Sequence, residues 1–270
     1  MNSILVFFEE MPIWMRLFWV VGVLGIFWLL EGYYALVRIN YKKWKHAWTN
    51  FTFLFFTMII NVGFGALTLG VFYWVEATQF GLLHLVDWPV WLELIIALLA
   101  LDLIAQYGVH YLLHKVRWMW RLHIIHHSDT KVDVTTGTRH HPLDFVIRET
   151  FALLAVLLMG MPIAFYLIYR ILSVFFTYFT HANINMGKID KYISYIFVTP
   201  NMHKFHHHWE MPWTDTNFGN MLSIWDRVFG TFNYDDPKKV RYGLDLVDDN
   251  TDENILFQLR IPFNKNIKTK

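Results

Sequence analysis

The apolar run from Phe51 to about Val75, which contains no charged side chain, constrains the fold more than any other stretch of this chain. A helix needs about 20 apolar residues to cross the hydrocarbon core of a bilayer, and this run is long enough. Two further runs, from Leu17 to about Val37 and from Pro89 to about Val109, are also long and apolar, although Glu31 interrupts the first and Glu93 and Asp102 lie in the second. The composition agrees, because 55% of the residues are hydrophobic and only 17% are charged. The sequence therefore predicts an integral membrane protein built from helices.

The apolar region from Asp144 to Thr180 is interrupted at Gly160-Met161-Pro162. Because proline disfavours an uninterrupted helix, we expect a helical hairpin that returns His181 to the side on which the region began. Glu149 and Arg170 would then lie at similar depth and form a structural ion pair. The predicted fold is an all-α helical bundle with about four spanning segments, of which the last pair is the hairpin. We expect residues 1–270 to form a single domain.

Lysine and arginine are distributed unevenly among the segments between the apolar runs. Four lie between residues 38 and 45, none between 76 and 88, and three between 115 and 121. Since cytoplasmic loops carry an excess of basic residues, we predict that the 38–50 loop and the histidine-rich segments face the cytoplasm. The N-terminus lacks the features of a cleaved signal peptide, and we expect it to be retained. We expect the polar chain after His181 to be soluble and cytosolic.

Histidines are concentrated near the ends of the apolar runs. Eleven of the 14 lie in the windows 110–127, 140–141 and 203–208, and a His-x2-His-His motif occurs twice, from His123 and from His203. Residues three and four apart share one face of a helix, so each motif can direct several imidazoles at one point. Neutral imidazole binds iron, zinc, copper and nickel. With no cysteine in the chain, thiolate zinc sites and iron–sulfur clusters are excluded.

Ten histidines are candidate metal ligands, which is too many for one ion and about right for two. They are His110, His114, His123, His126, His127, His141, His181, His203, His206 and His207. His46 and His84 lie outside every motif, and we expect neither to affect metal binding.

A polar stripe of residues four apart precedes the first histidines: Asp102, Gln106, His110 and His114. Because steps of four stay on one side of a helix, the stripe predicts that the third membrane helix continues past the bilayer and delivers two ligands. At helical rise Asp102 would lie about 12 Å from His110, too far to share a metal. Asp102 is therefore an outer contact of the site, a residue that lines a substrate cavity, or a structural polar contact.

The motifs resemble those of the fatty acid hydroxylase/sterol desaturase superfamily over roughly residues 95–232. The end of the region is similar to that of the bacterial members. The matching segments are Asp102 to His114, Leu122 to Ser128, Arg139 to Leu143, Phe179 to Asn183, Thr199 to His207 and Asn217 to Thr231.

The resemblance implies a non-haem di-iron site, with two iron ions and O2 as co-substrate. It favours His141 over His140 as a ligand, because His141 precedes the proline of the family's Arg-x-His-Pro segment. Asn183 and Asp226 would make outer contacts of the site or line its cavity. His208, where the family often has a small residue, is either an extra outer ligand or a surface histidine, and we expect the surface histidine.

The resemblance implies oxidation of a lipid in a bacterial inner membrane, and we expect hydroxylation of a C–H bond. A lipid desaturase with the same site is the main alternative. No flavin or nicotinamide motif is visible, so an external electron donor is implied, such as a ferredoxin, a cytochrome b5-like protein or a reductase. A histidine-rich metal transporter and a zinc hydrolase are further alternatives, although the zinc-protease motif H-E-x-x-H is absent. A net charge of +1 does not indicate a nucleic-acid partner.

Overall fold

The computed structural model describes residues 2–236 and 239–267, and every regular element within those residues is helical. The all-α prediction is therefore confirmed. In chain order the helices are α1 (Asn2–Glu9), α2 (Ile13–Tyr33), α3 (Lys43–Thr78), α4 (Val90–Asp102), α5 (Val109–Lys115), α6 (Arg117–His127), α7 (Pro142–Met159), α8 (Ile163–His181), α9 (Ile189–Ile193), α10 (Pro200–His206), α11 (Ile224–Val228) and α12 (Ile255–Arg260).

Four helical stretches are long and apolar enough to cross a membrane: Ile13–Tyr33, Lys43–Leu85, Val90–Lys115 and Ile163–His181. Many apolar side chains on the outside of these helices are exposed; Val62, for example, is 80% exposed. Apolar surface of this extent is not expected to face water.

The helix α3 differs from the prediction at its start. Its 36 residues span about 54 Å, well beyond the roughly 30 Å of hydrocarbon in a bilayer. Part of the predicted 38–50 loop is therefore helical, from Lys43 onward. The reason is tertiary: His46 and Asn50 are buried, with His46 Nε2 2.8 Å from Asp129 Oδ1 and Asn50 Nδ2 donating to Thr135 Oγ1 at 2.8 Å.

The helix α4 continues through a π-helical turn, Leu103–Gly108, into α5. The third apolar helix therefore extends to His110 and His114, as the spacing predicted. Asp102 is fully buried and accepts hydrogen bonds from Trp225 Nε1 at 3.0 Å and the Leu222 amide at 3.1 Å. Among the roles considered for Asp102, these bonds favour the structural contact.

The hairpin of α7 and α8 reverses at Gly160, whose φ of +68° favours glycine. A Cβ there would lie 2.1 Å from the Phe80 carbonyl oxygen, so the reversal requires close approach as well. The expected ion pair forms, with Arg170 Nη1 2.6 Å from Glu149 Oε1. The hairpin brings His181 to the end of the bundle where the other histidines lie. The arm α7 is not among the four apolar stretches, because charged residues occupy its first half.

The C-terminal segment packs on α6, the helix that carries the first His-x2-His-His motif. The Arg121 guanidinium donates to carbonyl oxygens of this segment, including Pro262 at 2.7 Å and Ile267 at 2.9 Å. Ser128, directly after the motif, donates to Gln258 Oε1 at 2.8 Å. No function for the C-terminal segment was apparent from its sequence. In the structure this segment covers α6.

Candidate metal centre

Buried histidines form two adjacent groups at one end of the bundle. Within each group, one ligand atom per residue lies within 4.8 Å of those of the other members. The five-histidine group contains His110, His114, His123, His127 and His206. The four-histidine group contains His126, His181, His203 and His207.

The two His-x2-His-His motifs contribute to the groups in opposite ways. In α6 the outer members, His123 and His127, belong to the five-histidine group, and His126 belongs to the other. In the second copy the outer members belong to the four-histidine group, and the middle residue, His206, joins the first. Since neighbouring residues of a helix point in different directions, each motif bridges both groups. The ring centroids of His127 and His206 are consequently only 4.5 Å apart.

Burial keeps these imidazoles neutral. Removal from water lowers the pKa of His123 to about 3, although Asp144 acts in the opposite direction. It also lowers the pKa of other members well below the usual value, and neighbouring imidazoles lower it further. These members are His126, His127, His203, His206 and His207. Neutral imidazole carries one proton and offers one nitrogen lone pair, which is the form that binds a metal.

Outer contacts decide which nitrogen carries the proton. Nδ1 of His110 donates to the Phe218 carbonyl oxygen at 2.8 Å, and Nδ1 of His206 donates to that of Thr216 at 2.7 Å. Because a carbonyl oxygen only accepts, the Nε2 atoms of these rings are unprotonated and face the group. In the four-histidine group, Nδ1 of His126 and His181 contact the carbonyls of Arg139 at 3.2 Å and Thr177 at 2.7 Å.

Carboxylates support two members of the five-histidine group. His123 Nδ1 lies 2.8 Å from Asp144 Oδ2, and His114 Nδ1 lies 3.3 Å from Asp215 Oδ1. An ionised carboxylate accepts, so both histidines also direct an unprotonated Nε2 into the group. Such carboxylate–imidazole contacts are typical of metal ligands, whose orientation and basicity they set.

The resulting arrangement brings lone pairs together. Nε2 of His110 lies 3.1 Å from Nε2 of His123, and Nε2 of His126 lies 3.1 Å from Nε2 of His181. Because the protons are on Nδ1, the two Nε2 lone pairs of each such pair point at each other and repel. A cation bound by the Nε2 atoms of a group would remove this repulsion.

Other ring nitrogens of the two groups are buried and have no hydrogen-bond partner among the described residues. They include Nε2 of His114 and His206 and both ring nitrogens of His127 and His207. Buried polar atoms are normally paired, because an unpaired one costs about 1–3 kcal/mol. Metal ions bound by nitrogen would satisfy these atoms and remove the repulsion. The residues present therefore fit two transition-metal ions, one in each group.

The structure places His140, rather than His141, beside the two groups. His141 lies outside both groups, and its Nδ1 accepts from the Leu143 amide at 3.1 Å. Because Pro142 is the first residue of α7, His141 is the N-cap and its side chain turns back onto the helix. His140 instead stacks on His126 with ring centroids 4.6 Å apart and lies 3.5 Å from Asp144 Oδ2. Spacing along the chain does not distinguish two adjacent histidines.

His208 is buried, contrary to the prediction of a surface histidine. It belongs to neither group, and its Nδ1 accepts from the Glu210 amide at 3.3 Å.

The two other polar residues singled out in the sequence have different roles. Asp226 accepts from the amides of Phe218 at 2.7 Å and Gly219 at 3.0 Å, and so fixes the loop whose carbonyl holds His110. Asp226 is thus an outer support of the site. Asn183 bonds to the backbone of Val37 through both atoms of its amide, at 2.7 and 3.1 Å, and ties the end of α8 to the segment after α2.

The sequence did not reveal a buried ionic network beside the four-histidine group. His46 is fully buried and lies 2.8 Å from Asp129 and 3.2 Å from Asp133. The backbone carbonyl of the buried Arg139 holds His126. The Arg139 guanidinium donates at 3.2 Å to Asn50 Oδ1, which lies on α3 together with His46. His46 therefore anchors the segment that holds His126, and this structural link to the site was not expected from the sequence. Its partners are more than 80 residues away, so local spacing gave no signal.

A cavity of about 240 Å³ approaches the five-histidine group from outside. His114, Lys115, Trp120 and Asp215 are among the residues that line it. The Trp120 ring lies 4.7 Å from that of His114, so an indole separates part of the cavity from the group.

The chain is similar to known proteins over the region that contains the two histidine groups. A family model described as fatty acid hydroxylase matches residues 94–231. An ornithine lipid hydroxylase of Rhizobium tropici is 31% identical over 152 residues, covering 54% of this chain and 44% of that protein. Alkylglycerol monooxygenases are 29% identical in Homo sapiens (140 residues, 51% and 30%) and in Caenorhabditis elegans (154 residues, 55% and 29%). The chain spans less than half the length of these relatives. No solved structure matches it.

Proposed function

Since the chain belongs to the fatty acid hydroxylase family, we propose that it is a membrane-embedded, non-haem di-iron oxygenase that hydroxylates a C–H bond of a lipid. The observation that carries the proposal is the pair of adjacent histidine groups, whose neutral, unpartnered nitrogens suit two metal ions. The overall change is R–H + O2 + two electrons + two protons → R–OH + H2O. Electrons come from an external donor, of the ferredoxin, cytochrome b5-like or reductase type.

Iron bound by the two groups would supply O2 activation and oxidation of the C–H bond. The protein's part is to hold the imidazoles in one tautomer and to exclude water. Carbonyl oxygens and the Asp144 carboxylate hold the rings. Phe218, which is fully buried, packs its ring 5.0 Å from that of His114 and 5.8 Å from that of His110, and keeps one side of the five-histidine group dry. A dry site protects a reactive oxidant from competing reactions with solvent.

Several observations favour a lipid substrate and hydroxylation. The relatives named above are a lipid hydroxylase and monooxygenases. The histidine groups lie at the end of apolar helices, so a lipid can reach them from the bilayer. The distribution of basic residues supports an orientation in which the groups face the cytoplasm. A metal transporter would instead carry ligands through the span.

Membranes containing the protein, a reductant and isotopically labelled O2 test the proposal. A lipid that gains one labelled oxygen atom is expected, and His126→Ala membranes should form none. A product that lacks two hydrogens and carries no label would identify a desaturase. Turnover in the absence of O2 would overturn the oxygenase assignment.

A further inference from the structure

Two short helices beyond the bundle form one apolar surface. Two hydrogen bonds of Ser223 join α9 and α11. Its Oγ donates to the Ser194 carbonyl oxygen at 2.7 Å, and its backbone amide donates to the Ile196 carbonyl oxygen at 2.9 Å. Tyr192 and Val228 are 72% and 65% exposed. We call this surface the α9–α11 face, and its exposed members are Ile189, Tyr192, Tyr195, Ile196, Phe197, Ile224, Val228 and Phe229.

The α11 side of this face lies beside a spanning helix, on the bilayer side of the histidines. Trp225 of α11 donates to Asp102, which precedes His110 by about 12 Å at helical rise. The Phe229 ring stacks on that of Tyr107 with centroids 5.2 Å apart.

The α9 side lies beside a second spanning helix. Phe197 stacks on Phe176 with centroids 5.4 Å apart, and Phe176 precedes His181 on α8 by about 7 Å at helical rise. Two independent helices thus place the face at a depth below the metal groups. This placement disagrees with a segment immersed in the cytosol, which the polar sequence after His181 had suggested.

The residue types at the face match a membrane interface. Aliphatic and phenyl side chains suit the acyl boundary, and tyrosine is enriched at the level of the headgroups. The exposed Lys188 and Lys191 and the partly exposed Arg227 lie on the same two elements or next to them, where anionic lipids would attract them. Exposed apolar surface of this kind is not expected in water.

We propose that the α9–α11 face is an in-plane anchor that lies in the interface of the leaflet nearest the histidines and contacts its lipids. The proposal rests on the membrane placement of the long helices, and it is independent of the reaction. The anchor fixes the height of the two histidine groups above the acyl chains, and so sets which part of a lipid lies next to them.

Single-cysteine variants test the anchor cleanly, because the chain has no native cysteine. Tyr192→Cys and Val228→Cys carry a polarity-sensitive fluorophore on the face, at exposed positions outside the core. Leu256→Cys on α12 is the matched control, with an apolar side chain that is 66% exposed but lies next to α6. Val62→Cys on α3 reports the lipid-facing side of a span. The full-length variants are reconstituted in vesicles of phosphatidylcholine and phosphatidylglycerol.

On the face, we expect blue-shifted emission, quenching by lipids with a nitroxide near the headgroup, and loss of quenching by aqueous iodide. The Leu256 label should be quenched by iodide, and the Val62 label by a nitroxide at mid-chain. Iodide quenching at Val228 and Tyr192 equal to that at Leu256, with Val62 still quenched by lipid, would overturn the anchor alone. A Val62 label that only iodide quenches would overturn the membrane placement and the anchor with it. Neither result depends on whether the protein hydroxylates a lipid.

Discussion

The two histidine groups are built from the same residue type but are supported differently. The five-histidine group has direct carboxylate contacts, from Asp144 at 2.8 Å and Asp215 at 3.3 Å, and a cavity approaches it. Backbone carbonyls hold His126 and His181 of the four-histidine group, as they hold two members of the other group. The segment that supports the four-histidine group depends on the buried network around His46. The five-histidine group therefore depends on two carboxylates in addition to backbone carbonyls, whereas the four-histidine group depends more on the folding of the surrounding chain.

The largest expected effect separates the two groups through adjacent residues. His206→Ala should weaken metal binding in the five-histidine group and His207→Ala in the four-histidine group, because each removes a ligand from a different group. Since four and three imidazoles remain, each variant should lose at most about half of the bound metal, and it should lose all lipid oxidation. Metal analysis of the purified protein measures this. Loss of all metal in both variants would show that the two groups bind their metal ions cooperatively and not as separate sites.

The buried network should matter for stability. His46→Ala leaves the Asp129 and Asp133 carboxylates buried without their partner, and breaking a buried pair in this way costs about 3–5 kcal/mol. Thermal unfolding in detergent should show a clear loss for His46→Ala. His84→Ala is the control, because His84 is exposed and surface substitutions change stability by about 0.5 kcal/mol or less. Equal unfolding temperatures for the two variants would contradict the network's role.

The Asp144 carboxylate should affect metal binding in the five-histidine group. Asp144→Asn removes the anion behind His123 while keeping the shape, and loss of such an outer contact lowers metal affinity or activity about 10–100-fold. Asp215→Asn should have a smaller effect, because its contact with His114 is longer and Asp215 is partly exposed. Competition with a chelator measures both affinities. If Asp144→Asn released metal from the four-histidine group first, the assignment of this carboxylate would be wrong.

The smallest effect distinguishes His140 from His141. His141→Ala removes an N-cap contact of α7, which costs about 1 kcal/mol, together with contacts to the C-terminal segment, and should leave metal content unchanged. His140→Ala removes the ring that stacks on His126 and should lower lipid oxidation more than His141→Ala does. Product yield and metal content, measured on the same preparations, compare the two. The reverse order would restore His141 to the site.

Long-range features of the fold and site were not predictable from the chain. The helical start of α3 follows from buried contacts of His46 and Asn50 with a distant segment. The position of α9 and α11 beside the spanning helices follows from Asp102 and two aromatic stacks. Such contacts join residues far apart in sequence, and no periodic pattern records them.

The sequence by itself determined the helical class, the apolar runs, the hairpin at Gly160 and the histidines that can share a helix face, because these depend on local periodicity and on residues three or four apart. Only the tertiary structure decided how nine histidines divide between two groups, which of His140 and His141 faces them, and which atoms carry the protons. The physical reason is that ligand grouping and tautomer depend on packing between helices and on buried acceptors contributed by distant loops, such as the Phe218 and Thr216 carbonyls.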